Sequence, residues 1–134
     1  MWALLVATVV GVGVSIGLLR LSRANRRLHT THLRLRVPDL PEALHGRRLA
    51  FASDLHYGLL YVTPEELLNA IERAGPDLLL LGGDYAAAGR HVDAALELIR
   101  TLAATRPTFG ILGNTEYYFG FDQRALAEAF AVGG

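Results

Sequence analysis

Three short apolar runs define the middle of the chain. Each is four or five residues long and is bounded by turn residues, which predicts strands of a parallel sheet with both faces covered by helices. The runs are Leu49–Ala52, Asp77–Leu81 and Thr108–Leu112. An earlier stretch, Thr31–Val37, alternates apolar and polar residues, and it predicts a half-exposed edge strand ahead of these three.

A helix is predicted after the first apolar run. Thr63 and Glu66 have the spacing of a capping box, and Pro64 stands at the first helical position between them. Leu67, Leu68, Ile71 and Ala74 share one face of this helix, and Gly75-Pro76 ends it.

Two more helices are predicted further along. One runs from about Val92 to Ala104 with Leu96, Ile99 and Leu102 inward, and the other begins near Asp122 and ends at Gly133-Gly134. The stretch between them, Asn114–Phe121, is predicted to be an aromatic-rich loop. The resulting order, β-β-α-β-α-β-α, predicts an α/β fold with parallel central strands and right-handed crossovers.

The first nineteen residues contain no charged side chain. As a helix, Met1–Leu19 would span about 28 Å, close to the hydrocarbon thickness of a bilayer. A cleavable signal peptide is the alternative, but a basic start and a small-residue cleavage site are both missing. We therefore expect residues 1–19 to be a single-pass transmembrane anchor.

Charge is divided unevenly along the chain. Residues 1–48 carry eight arginines and two acids, whereas the rest carries five arginines and eleven acids. Arg20, Arg23, Arg26 and Arg27 follow the apolar segment, so residues 20–30 are predicted to be a basic juxtamembrane linker with the domain on the cytoplasmic side. The acidic second part argues against a nucleic acid partner. There is no cysteine, which excludes disulfides and thiolate metal sites.

Polar side chains follow each predicted strand. Asp54 and His56 come after the first, Asp84 follows Gly82-Gly83 after the second, and Asn114 follows Gly113 after the third. In extended backbone, residues two apart point to the same side, so Asp54 and His56 are expected to converge on one ion. Each of these residues alone fits an ordinary turn or cap. Together, carboxylate, imidazole and amide oxygen suit Mn, Fe or Zn.

These motifs resemble the calcineurin-like metallophosphoesterase superfamily. Its pattern is D-x-H, then G-D, then G-N-H-D/E, and Ser53–His56 (SDLH), Gly82–Tyr85 (GGDY) and Gly113–Glu116 (GNTE) follow it in order. The resemblance implies a four-layer α/β sandwich, of which residues 31–134 would supply the N-terminal part.

The resemblance also implies a hydrolase of phosphomonoesters or phosphodiesters with two divalent metal ions. Asp54 and His56 would bind the first metal, Asp84 would bridge both, and Asn114 would bind the second. Thr115 stands where the family has a histidine that contacts phosphate and protonates the leaving oxygen. The expected partners are a phosphate-ester substrate, with lipid-linked esters among the candidates, and the membrane.

Two alternatives stay open at this point. A non-catalytic membrane-anchored module with the same fold would explain Thr115 and the absence of the family's two later histidine motifs from residues 1–134. A plain nucleotide-binding α/β domain is weaker, because no glycine-rich loop follows the first strand.

Side chains outside the motifs are expected to be structural. His29, His32, His45 and His91 match no motif position and are predicted to lie at the surface. Tyr57 and Tyr85 follow predicted ligands, and packing is favoured over a place in a cleft.

Overall fold

Three parallel strands and four α-helices form the part of the chain that the computed structural model describes, residues 28–59 and 62–133. The strands are β1 (Leu49–Ala52), β2 (Leu78–Leu81) and β3 (Thr108–Gly110). The helices are α1 (Pro64–Ala74), α2 (Val92–Ala103), α3 (Asn114–Tyr118) and α4 (Gln123–Phe130). Single 3₁₀ turns lie at Glu42–Leu44, Gly89–His91 and Ala131–Gly133.

The sheet has the order β1-β2-β3, so each strand pairs with the next one along the chain. Leu49 pairs with Leu78 and Leu79 pairs with Thr108, both in parallel register. One helix connects each pair of strands. Because parallel crossovers are right-handed, a sheet built in chain order receives both connecting helices on the same face.

The core lies between that face of the sheet and the helices. Its largest fully buried side chains are Tyr85, Leu79, Leu81, Ile99 and Leu102. The predicted inward face of α2 is confirmed, since Leu96, Ile99 and Leu102 are all buried.

The opposite face of the sheet is open and apolar. On the two outer strands and just beyond β3, four residues of this face are 61% to 71% exposed, namely Leu49, Phe51, Phe109 and Ile111. Leu78 and Leu80 of the central strand are half-buried. The prediction that helices cover both faces is therefore wrong for the described residues. The reason is the strand order, which places α1 and α2 on one side.

The start of α1 follows the sequence prediction. The Thr63 hydroxyl accepts a hydrogen bond from the Glu66 N–H (3.2 Å), and the Glu66 carboxylate accepts one from the Thr63 N–H (2.9 Å). Gly75 then ends the helix in a left-handed conformation, where its N–H donates to the carbonyl oxygen of Ile71.

Two predicted elements differ from the structure. Thr31–Val37 is not a strand, because no neighbouring strand within the described ranges pairs with it, and Leu33, Leu35 and Val37 are exposed. The predicted loop Asn114–Phe121 instead begins with helix α3. A long-range set of hydrogen bonds to Glu116, described below, stabilises that helix.

No helix within residues 28–59 and 62–133 is long and apolar enough to cross a membrane. The predicted anchor, residues 1–19, lies outside the described residues, as does most of the predicted linker, residues 20–30.

Candidate metal centre

The loops that follow β1 and β2 run side by side beyond the ends of the strands. The Asp54 N–H donates to the Gly83 carbonyl (3.1 Å), and the His56 N–H donates to the Asp84 carbonyl (2.8 Å). Tyr57 then forms an isolated parallel bridge with Ala86. Backbone hydrogen bonds thus hold the two loops in register, and with them the polar residues that they carry.

Three of the predicted ligands have left-handed backbone conformations. The φ angles are +54° at Asp54, +37° at His56 and +57° at Asp84. Such angles are uncommon for residues with a Cβ, and they cluster at functional sites where surrounding contacts stabilise them. The extended geometry predicted for Asp54 and His56 is therefore wrong. Both residues lie on tight left-handed turns, and Leu55 between them is buried in the core.

These turns bring the side chains of Asp54, His56 and Asp84 together. Each offers one ligand atom, and the three atoms all lie within 4.8 Å of one another. His56 Nε2 is 3.8 Å from Asp54 Oδ1, and the Ser53 hydroxyl donates to Asp54 Oδ2 at 2.7 Å. Two carboxylates and an imidazole at this spacing fit a divalent transition metal.

The loop after β3 reaches the same place because two glycines allow close approach. A Cβ on Gly113 would lie 2.6 Å from the carboxyl carbon of Asp84, and a Cβ on Gly83 would overlap the backbone nitrogen of Gly113. Gly83 also has a φ of +87°. Glycine at both positions lets the ends of β2 and β3 touch.

Asn114 and Thr115 follow directly at the start of α3. Asn114 is exposed and lies one residue beyond Gly113, and its assignment as a ligand stays a prediction. Thr115 is only 8% exposed. Its N–H donates to Asp84 Oδ1 (2.9 Å) and its hydroxyl to Glu116 Oε1 (3.1 Å). The catalytic role of Thr115 stays a prediction as well, and the hydroxyl already has an internal partner.

Sequence reasoning gave no role to Glu116, which is 3% exposed. Its Oε2 accepts from the N–H groups of Gly113 (2.7 Å) and Asp84 (2.9 Å). Its Oε1 accepts from the Tyr85 N–H (2.8 Å) and from Thr115. The signal in the sequence was a glutamate at the third helical position after Gly113, the spacing of a capping box.

Tyr85 lies beneath the site and is 1% exposed, so the expected packing role is confirmed. Its hydroxyl donates to the Ile111 carbonyl (2.7 Å). Burial raises the pKa of Tyr85 to about 12, and the negative charge of Glu116 adds to the effect.

Of the four histidines predicted at the surface, His29, His32 and His45 are exposed. His91 is half-buried instead, and its ring packs on the backbone of Gly58 and lies 6.2 Å from the ring of Tyr57.

Comparison with known proteins agrees with this geometry. The family model described as calcineurin-like phosphoesterase matches residues 47–131, which include the whole sheet and every candidate ligand. Neither the curated proteins nor the solved structures gave a match. The match covers well over half of the chain, and the chain therefore belongs to the calcineurin-like phosphoesterase family.

Proposed function

We propose that this protein is a membrane-anchored, metal-dependent hydrolase of phosphate esters. The observation that carries the proposal is the convergence of Asp54, His56 and Asp84 on one point, each on a left-handed turn at the end of the sheet. Strain of this kind persists only where other contacts stabilise it, and strained residues cluster at active sites and ligand-binding sites. Membership of the family supports hydrolysis as the reaction.

Some residues of the site would bind the metal ions, and others orient these ligands. Asp54, His56 and Asp84 would hold one divalent ion, and Asp84 with Asn114 would hold a second. When bound, such ions supply Lewis-acid polarisation of the phosphoryl oxygens and neutralise their charge. The Ser53 hydroxyl fixes the rotamer of Asp54 by donating to its second oxygen.

The exposure of the site favours large substrates. The Asp54 side chain is 66% exposed and that of His56 is 32% exposed, so the cluster opens to the surface. An open site can reach a phosphate that belongs to a bulky molecule. With an anchor at residues 1–19, the substrate class that we propose is a lipid-linked or envelope phosphodiester on the cytoplasmic side.

The anchor has its own test. The full chain should stay with the membrane fraction after washing with high salt and alkali, because a spanning helix of this length is not released by either. Recovery of the intact chain in the soluble fraction would remove the anchor and the lipid-linked substrate from the proposal.

A non-catalytic module is the second candidate, and the position of Thr115 favours it. The hydroxyl of Thr115 is buried and donates to Glu116, so it has no free proton to give to a leaving group. If hydrolysis proceeds without a general acid, alkyl phosphodiesters should lose about 10²–10⁴-fold in rate, whereas activated aryl phosphodiesters, which leave without a proton, should lose much less.

The deciding experiment measures Mn²⁺ binding and turnover on the same protein. Asp84→Ala in the full chain should abolish both Mn²⁺ binding and hydrolysis of an activated aryl phosphodiester. Asp93→Ala removes an exposed carboxylate on α2 and is the matched control, expected to behave like wild type. Binding without turnover in wild type would favour the non-catalytic module, and equal binding by both variants would refute the site.

A further inference from the structure

Glu116 joins two of the three loops that surround the site, those after β2 and β3. It lies at the third position of α3, and its carboxylate accepts the N–H of Gly113 in the loop after β3. The same carboxylate accepts the N–H groups of Asp84 and Tyr85 in the loop after β2. A single buried side chain therefore connects loops that follow different strands.

The backbone around Asp84 is shaped to receive an anion. Gly83 and Asp84 are consecutive residues with positive φ. The N–H groups of Asp84 and Tyr85 both donate to the carboxylate of Glu116. Successive N–H groups that point to one place attract an anion. Here an internal carboxylate occupies that place.

The hydrogen bonds to Glu116 replace the interactions with water that burial removes. Within residues 28–59 and 62–133, Glu116 forms no ion pair, so four donors stabilise its charge. Charge-assisted hydrogen bonds of this kind are the stronger class. They oppose the strain of the left-handed conformation at Asp84, whose Oδ1 is held in turn by the Thr115 N–H.

We propose that Glu116 is a positioning residue that sets the metal affinity of the site by holding Asp84 in its left-handed conformation. This inference rests on the proposed function, since it assumes that Asp84 binds a metal. Outer residues that orient metal ligands typically change affinity 10–100-fold when they are replaced.

The substitution Glu116→Gln tests the hydrogen bonds with almost no change in volume. Glutamine has an NH₂ group in place of one carboxylate oxygen, and this group donates hydrogen bonds but cannot accept them. At least one backbone N–H that donates to Glu116 in the wild type would therefore face another donor. We expect Mn²⁺ affinity to fall 10–100-fold in the full chain, measured by calorimetry.

Thr108→Val is the control. It removes one buried threonine hydroxyl and its hydrogen bond to the Arg106 carbonyl, at the start of β3 and outside the site, so Glu116 keeps all of its donors. Its Mn²⁺ affinity should stay near that of wild type even if it unfolds more easily. Equal weakening of Mn²⁺ binding by Thr108→Val and Glu116→Gln would mean that any loss of stability weakens the site, and it would overturn the inference.

Glu116→Asp tests whether the hydrogen bonds of Glu116 or its negative charge alone sets the Mn²⁺ affinity. It keeps the negative charge but shortens the side chain by one carbon, so it should weaken Mn²⁺ binding about as much as Glu116→Gln. Wild-type affinity in Glu116→Asp would show that charge alone matters and would also overturn the inference.

Amide hydrogen exchange gives a readout without metal. Protection at Asp84 and Tyr85 should fall in Glu116→Gln and stay near wild type in Thr108→Val. If wild type binds no Mn²⁺, the proposed function fails, while unchanged protection in Glu116→Gln refutes the positioning role by itself.

Discussion

Gly83 and Asp84 are consecutive residues in left-handed conformation, and they meet the backbone of Gly113. Only the first of the two is a glycine, so the strain at Asp84 must be offset by its hydrogen bonds to Thr115 and Glu116. At the scale of single residues, the site therefore depends on backbone geometry as much as on ligand chemistry.

Substituting Gly83 should lower the free energy of unfolding by more than the strain of its left-handed conformation alone. Gly46 has a φ of +73° with nothing near a Cβ, so Gly46→Ala should lower the free energy of unfolding by only about 1–2 kcal/mol. Gly83→Ala adds a clash with the backbone of Gly113, so it should cost clearly more and should also weaken Mn²⁺ binding. Chemical denaturation and calorimetry measure the two effects, and equal costs for both variants would contradict the close approach.

Because of Tyr85, the free energy of unfolding should change with pH in the alkaline range. Because its pKa rises from 10.0 to about 12 on folding, the folded state keeps a proton that the unfolded state loses above pH 10. The raised pKa of Tyr85 contributes about 2–3 kcal/mol to the free energy of unfolding. This contribution is complete below pH 10 and is lost as the pH rises towards 12.

Tyr85→Phe is the comparison for this effect. At pH 7 it should be less stable than wild type by about 1 kcal/mol, because the Ile111 carbonyl loses its donor. The difference should shrink above pH 10 and reverse sign by about pH 12, because the phenylalanine has no proton to lose, and denaturation at each pH measures it. A difference that does not change with pH would show that Tyr85 does not ionise in this range.

At the scale of elements, the sequence predicts a segment whose stabilising residues are adjacent in the chain. It does not predict a segment whose structure depends on distant partners. The start of α1 could be predicted because Thr63, Pro64 and Glu66 are adjacent in the chain and need no other segment. Thr31–Val37 has the alternation of a strand, but a strand exists only with a partner, which alternation does not supply. Helix α3 was missed because five residues show no helical period, and Glu116 stabilises it through contacts 31 and 32 positions away.

The candidate site divides in the same way. The sequence predicted which residues converge, because Asp54, His56 and Asp84 each follow a strand of one sheet. It did not predict their left-handed turns, nor the support by Glu116, because both depend on how separate loops pack.

The capping box gives a prediction at this scale. Thr63→Ala should lower the free energy of unfolding by about 1 kcal/mol, since the Glu66 N–H loses its acceptor. Thr63→Ser keeps an oxygen in place and should stay within a few tenths of wild type. Thermal denaturation compares the two, and equal losses would mean that the cap does not stabilise α1.

At the scale of the whole molecule, the described residues cover the sheet on one side only. Apolar side chains on the other face stay in contact with water, which favours association with another apolar surface. The core of the described part of the chain is thus built entirely on the helical side of the sheet.

The open face should make the full chain self-associate. Phe51→Lys combined with Phe109→Lys places charge on this face and should shift sedimentation towards a smaller species. Tyr117→Lys combined with Tyr118→Lys changes equally exposed aromatics on α3 and should leave the distribution unchanged. Equal shifts for both pairs would show that association does not depend on the sheet face.

Strand pairing in chain order also bears on how the protein folds. Leu49 pairs with Leu78 and Leu79 with Thr108, so each parallel pair closes a segment of 29 positions. The two closures can therefore form one after the other, and the first can form during synthesis before β3 has left the ribosome. Asp84 acquires its partners Thr115 and Glu116 only after the second closure. Tight metal binding would therefore arise late, when the β3 segment docks, and would mark the completion of folding.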